Sequence, residues 1–341
     1  MTAIRTEGEL EERLSRPSAA DVEFMRELEG DLLILGVAGK MGPSLARRAR
    51  RAADEAGVRK RIVGVARFSN PRVREELEAA GVETICADLL DEEQLQALPE
   101  LPNVIYMAAR KFGTTGNEYL TWALNTYLPG RVAERLRRSR IVAFSSGNVY
   151  PLVPIAHGGP TEATPPDPVG EYAQSVLGRE RMFEYFSARY GTPVTLLRLN
   201  YAIDLRYGVL VDLALKVYQR QPVNLAMGQV NVIWQGDANS VALRAFRLCQ
   251  SPPAVLNVTG PETVSVRSLA WKFARRFGVE PIFEGTEAPT ALLSDASLCH
   301  RLFGYPEVTL EQMVEWVAEW IRAGGVLWSK PTHFEVRDGR F

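Results

Sequence analysis

At the roughly 150 residues of a typical domain, 341 residues allow about two, and 46% hydrophobic and 24% charged residues with a mean hydropathy of -0.11 exclude disordered, collagen-like and coiled-coil chains. Lys+Arg 40 against Asp+Glu 41 leave a formal net charge of -1, so no global positive field collects nucleic acid or an anionic membrane, and a small molecule is the expected partner. Cys86, Cys249 and Cys299 fit neither a disulfide framework nor a zinc site, and the charged N-terminus lacks a signal peptide's apolar region, so a cytoplasmic protein with no metal is expected.

Residues 1–30 read as a helical extension, amphipathic over Glu9 to Leu14 and Ala20 to Leu28. Asp31 to Leu35 is an apolar run of strand length that enters Gly36-Val-Ala-Gly39-Lys40-Met41-Gly42. A helix follows from Pro43 to Ala56, with Leu45, Ala46, Ala49, Ala52 and Ala53 at helical spacing. Strands at Arg61 to Ala66, Val82 to Cys86, Val104 to Met107 and Arg140 to Phe144 alternate with helices at Val73 to Ala80, Glu92 to Leu98 and Glu118 to Arg138. This alternation predicts an α/β fold with a doubly wound parallel sheet, Rossmann-like, over residues 31–200. After a Pro- and Gly-rich stretch, a long helix runs from Glu171 to Tyr190 and a strand from Thr192 to Leu199. Residues 201–324 read as a smaller C-terminal α/β substrate lobe with segments returning to the sheet, closed by a helix from Leu310 to Arg322. The tail, 325–341, is either docked or disordered.

Gly36, Gly39 and Gly42 have the spacing of a phosphate-binding turn between a buried strand and a helix N-terminus. The second strand ends at Ala66-Arg67-Phe68-Ser69, without the acid that would bind the ribose hydroxyls of NAD. Arg67 and Lys40 suit a 2'-phosphate instead, so NADP is favoured over NAD. Asp88 either accepts from the adenine amine or caps the next helix. Leu89 adjoins it in the same candidate cofactor set, as Met41 adjoins Lys40.

Ser145-Ser146-Gly147-Asn148-Val149-Tyr150 follows the strand ending at Phe144, and Tyr172-Ala-Gln-Ser175 opens the next long helix. Together with the glycine turn, Ala108-Ala109, Asn125, Arg198-Leu-Asn200, Leu256-Asn-Val-Thr-Gly260 and Phe303-Gly-Tyr-Pro306, these residues resemble the extended short-chain dehydrogenase/reductase superfamily, in its NAD(P)-dependent epimerase/dehydratase branch. The turn alone also resembles that of dihydrodipicolinate reductases, which the rest of the chain does not follow. The resemblance implies that Ser146 holds the substrate oxygen, that Tyr172 is the acid/base, and that Ala108, Ala109 and Asn125 belong to the cofactor site. It also implies a homodimer through the helices Glu118 to Arg138 and Glu171 to Tyr190. The family's lysine, one helical turn after the tyrosine, is replaced here by Val176. Arg179 and Lys111 are the candidate replacements for its charge.

On the substrate side, Ser145, Asn200 and Trp234 are the expected contacts, with Gln235 beside them. Asn231 stands where nucleotide-sugar members carry an Arg for the diphosphate, which argues against such a substrate. His157, His300 and His333 show no metal spacing. The expected function is an NAD(P)-dependent oxidoreductase or epimerase/dehydratase-like reaction at a hydroxyl or ketone of a sugar, polyol or sugar acid. The alternative from another class is a non-redox NAD(P)-binding sensor or scaffold.

Overall fold

A computed structural model describes residues 3–111, 113 and 116–340. Two short helices come first, α1 (Glu7–Ser15) and α2 (Ala19–Glu27), each started by a capping box, Thr6 with Glu9 and Ser18 with Asp21. Next come β1 (Leu32–Leu35), α3 (Gly42–Glu55), β2 (Ile62–Ala66), α4 (Pro71–Ala79), β3 (Glu83–Cys86), α5 (Glu92–Gln96) and β4 (Asn103–Tyr106). Then follow α6 (Glu118–Trp122), α7 (Leu128–Arg135), β5 (Arg140–Ser146), α8 (Gly170–Tyr190), β6 (Val194–Leu199), α9 (Val209–Tyr218) and α10 (Gln235–Arg244). The last elements are β7 (Ala254–Val258), α11 (Val266–Phe277), α12 (Ser297–Phe303) and α13 (Leu310–Arg322).

The seven strands form one parallel sheet in the order β3-β2-β1-β4-β5-β6-β7. Helices on both faces bury β1 completely, which is why its four residues are all apolar. Leu45, Ala46, Ala49, Ala52 and Ala53 form the buried stripe of α3. The order reverses between β1 and β4, and a parallel sheet opens a crevice beyond the strand ends at such a switch point. The strand β7 returns from the second half of the chain to the edge of this sheet beside β6.

The N-terminal helices are integral to the packing. Asp21, fully buried on α2, pairs with Arg48 of α3 at 2.6 Å and accepts from the Ser240 hydroxyl of α10 at 2.6 Å. The helix expected from Glu118 to Arg138 is broken by a π-helical segment at Ala123–Tyr127. Pro129 has no N–H to give the carbonyl of Asn125, four residues earlier, and Arg179 reaches that carbonyl at 3.4 Å instead. Among the described residues, no helix is long and apolar enough to cross a membrane.

The tail is docked. Trp328 donates its backbone N–H to the carbonyl of Arg206, and Phe334 is buried. Arg337 donates to the carbonyl of Thr290 at 2.6 Å. Gly339 lies so close to Gly170 that a Cβ on Gly170 would meet its carbonyl oxygen at 2.6 Å.

Candidate active site

Two adjoining cavities lie at the C-terminal ends of the strands. The first, about 230 Å³, includes Gly36, Gly39, Arg67, Asp88, Leu89 and Ala108 in its lining, with Ala109 beside them. Its floor depends on small residues. At Gly36, with φ +87°, a Cβ would lie 2.6 Å from the Ala108 nitrogen, and at Gly42 it would lie 2.1 Å from the Val37 oxygen. A Cβ on exposed Gly39 would meet only the Gly36 oxygen, at 3.3 Å, so this glycine keeps the backbone open to the cleft. The turn ends at the start of α3, where unpaired N–H groups favour an anion. These features fit a dinucleotide, with the pyrophosphate over the turn.

Asp88 does not cap α5. Asp91 is the N-cap, accepting from the Gln94 N–H, while Asp88 accepts from the Leu90 N–H at 3.0 Å in a local turn beside the cleft. Asn125, expected at the cofactor, is fully buried and its side chain is used by the protein. Its Oδ1 accepts from the Arg110 N–H at 2.9 Å and from Arg179 at 3.0 Å, and its Nδ2 donates to the Arg110 carbonyl at 2.8 Å. It therefore holds the loop after β4.

The second cavity, about 190 Å³, holds Ser146, Tyr172, Asn200, Lys40 and Lys111 in its wall. β5 extends two residues past the expected end, so Ser145 and Ser146 finish the strand in register with Arg198 and Leu199 of β6. Ser145 also lines this cavity, and its hydroxyl donates to Glu180, which is fully buried and paired with Arg198 at 2.7 Å. Ser146 donates to Asn148 Oδ1 at 2.9 Å and is hydrogen-bonded to the Tyr172 hydroxyl. Burial raises the Tyr172 phenol, while the charge of Arg179 and the bond to Ser146 draw it back down.

Val176 is fully buried among Val149, Tyr150 and Tyr172. Cationic charge lies near the phenol from Arg179, two turns further along the same helix, and from Lys111 on the loop after β4. Arg179 donates to the Phe144 carbonyl at 2.7 Å, and Lys111 places its Nζ 6.0 Å from the centre of the Tyr172 ring. Burial pushes the Lys111 ammonium down to about 8. Lys40 is not beside Arg67: its Nζ lies 3.0 Å from the centre of the Tyr207 ring, in the second cavity. Burial, then repulsion from Lys111 and Lys330, lowers it to about 7. Met41 follows Lys40 into the same wall.

Two substrate-side expectations separate. Asn200 faces the cavity with 2% exposure, and its Nδ2 has no hydrogen-bond partner among the described residues. Trp234 does not face it: the indole is buried edge-on against Trp316 of α13 in the lobe's core. Gln235, the next residue, takes that place and donates to the Ser44 hydroxyl at 3.0 Å. Asn231 is also committed, donating to the Glu262 carbonyl at 3.1 Å and accepting from the Ser294 N–H at 2.9 Å. Tyr207 and Thr332 complete the wall. Tyr207 is announced only by a polar cluster ahead of an apolar helix, and nothing in the tail's composition marks Thr332.

Residues 32–203 match the family model described as "NAD dependent epimerase/dehydratase family". No curated relative matches the chain in sequence. Similar solved structures include the UDP-glucose 4-epimerase of Thermotoga maritima with UDP-glucose, at 18% identity and TM-score 0.69, covering 86% of this chain and 99% of that one. The UDP-glucose 4-epimerase of Thermus thermophilus, in complex with NAD, gives 19% and 0.70 with the same shares covered. The UDP-glucuronic acid 4-epimerase of Bacillus cereus, with UDP-glucuronic acid and NAD, gives 17% and 0.70, covering 86% and 99%. At these identities the likeness is one of fold.

Proposed function

The chain belongs to the NAD dependent epimerase/dehydratase family, and from that premise we propose that it catalyses nicotinamide-dependent oxidation or reduction at a hydroxyl or ketone of a carbohydrate-like small molecule. The observation that carries this reading is the Ser146–Tyr172 hydroxyl pair, set in a cavity next to the cleft of the glycine turn. Bound there, the nucleotide supplies a hydride acceptor or donor for the substrate carbon. Ser146 and Tyr172 hold the substrate oxygen between them, and the proton moves between that oxygen and the Tyr172 Oη. In the oxidising direction the alcohol loses a hydride from carbon and a proton to the phenolate, so charge and atoms balance.

Lys111 supports this reading over a sensor that has lost its chemistry. Its ammonium approaches the phenol from the loop after β4, remote in sequence from Val176. A cation at that position favours the phenolate, the form that accepts the proton. Arg67 is exposed at the rim of the first cleft, at the end of β2, which supports a preference for NADP over NAD. Calorimetric titration with NADPH and NADH is expected to show about tenfold tighter binding of NADPH, the worth of one charge-assisted contact. Arg67→Ala should erase the difference. Equal affinities in the unmodified protein would remove Arg67's assigned role, and binding of neither nucleotide would sink the enzyme reading.

The same reading includes a homodimer. Tyr119 on α6, Tyr127 in the π segment and Tyr185 on α8 are 74%, 55% and 51% exposed, an aromatic surface on adjacent helices. Light scattering is expected to give a dimer mass, and Tyr127→Glu with Tyr185→Glu to give a monomer that keeps its far-UV spectrum. A monomeric unmodified protein would overturn this assembly.

A further inference from the structure

The second cavity is selective in charge. Among the described residues that line it, Lys40 and Lys111 carry ammonium groups and none carries a carboxylate. Two acids that act on Lys40 through space are engaged outside the lining. Asp212 accepts from the Thr332 N–H and hydroxyl at 2.7 and 2.6 Å, and Asp204 accepts from Arg206 at 2.7 Å. Lys111 is near the phenol, whereas Lys40 rests on the Tyr207 ring, so only the first cation is explained by the acid/base chemistry. Two like charges facing one small cavity repel, and an anion between them relieves that cost.

The cavity holds about 190 Å³. The docked tail contributes Thr332 to its wall, and Asn231 offers no group to a diphosphate. No Arg is among the described lining residues, so no bidentate fork is offered, and an anion here meets the lysines as point charges. Asn200 adds a donor that has no hydrogen-bond partner among the described residues.

Resting on the hydride-transfer reading above, we propose that the substrate is a small polyhydroxy carboxylate, a sugar acid, whose carboxylate is held by Lys40. Its reacting hydroxyl then reaches Ser146 and Tyr172, and the Asn200 amide donates to a further oxygen. Lys40 faces Tyr207, Lys111 and Lys330, with Asp212 and Asp204 opposing their repulsion. Its ammonium is held down to about 7, so a bound carboxylate draws a proton onto it. The affinity for the acid therefore falls as pH rises above that value.

The test is calorimetry of the full chain, with and without saturating NADPH, using D-gluconate, D-sorbitol and sorbitol phosphate as matched probes. Gluconate is expected to bind at least about tenfold tighter than sorbitol, with net proton uptake near pH 8. Lys40→Met should abolish both the preference and the uptake while leaving NADPH affinity little changed. Equal binding of gluconate and sorbitol, binding of neither, or a preference for sorbitol phosphate overturns the proposal. So does a Lys40→Met variant that loses NADPH affinity and keeps its gluconate preference. The two readings fail separately: absence of NADPH binding sinks the enzyme reading, whereas the gluconate preference is read on both forms.

Discussion

Tyr172→Phe is expected to lower kcat by about 10²- to 10⁴-fold, the usual worth of a positioned acid/base, with nucleotide affinity little changed. The substitution removes only the hydroxyl bonded to Ser146 and leaves the ring packed against Val149, Tyr150 and Val176. The accompanying pH profile identifies the cation. Burial raises the phenol, so the phenolate needed for oxidation is scarce near neutrality unless positive charge assists it. Lys111, held at about 8, carries its charge mainly below that pH. Lys111→Met is expected to move the oxidation profile to higher pH, because it removes a cation 6.0 Å from the centre of the Tyr172 ring, and positive charge near a phenol favours its phenolate. An unchanged profile would assign the assisting charge to Arg179 alone. Wild-type turnover in Tyr172→Phe would falsify the acid/base role itself.

Arg198→Met is expected to cost about 3–5 kcal/mol in unfolding free energy, because it leaves a buried carboxylate without its partner. Glu180 is fully buried and Arg198 nearly so, and their two contacts are 2.7 and 3.0 Å. The same guanidinium donates to the Tyr150 hydroxyl at 2.8 Å, which in turn donates to Asn257 of β7 at 2.8 Å. Strands β5, β6 and β7 and helix α8 are therefore tied at one buried charge, directly behind Ser145 and Ser146. Replacing both members, Arg198→Met with Glu180→Met, should recover most of the loss, since apolar packing often replaces a buried ion pair at little cost. Urea unfolding of the two variants reads this directly. A single variant within about 1 kcal/mol of the parent would show that the pair is not desolvated as described.

The helix break at Asn125 shows where periodicity loses its power. The apolar spacing from Glu118 to Arg138 is helical throughout, and Pro129 is visible in the sequence. The partner that reaches the carbonyl left by the lost bond is Arg179 of α8, remote in sequence. Trp234 is a parallel case. An aromatic next to Gln235 fits a pocket wall or a core equally well, and Trp316, far along the chain on α13, draws it into the core.

The sequence by itself determined the strand, glycine turn and helix of the first cleft and the parallel alternation. Each of these is written in local spacing: apolar runs, i to i+3 or i+4 stripes, and glycines where a Cβ would collide. Only the tertiary structure decided that Lys111 approaches Tyr172, that Lys40 turns from the cleft of the glycine turn to the cavity of Ser146 and Tyr172, and that the tail forms part of its wall. These are meetings through space between segments remote in sequence. Electrostatic and packing energies depend on distance and burial, and no local pattern of residues encodes either.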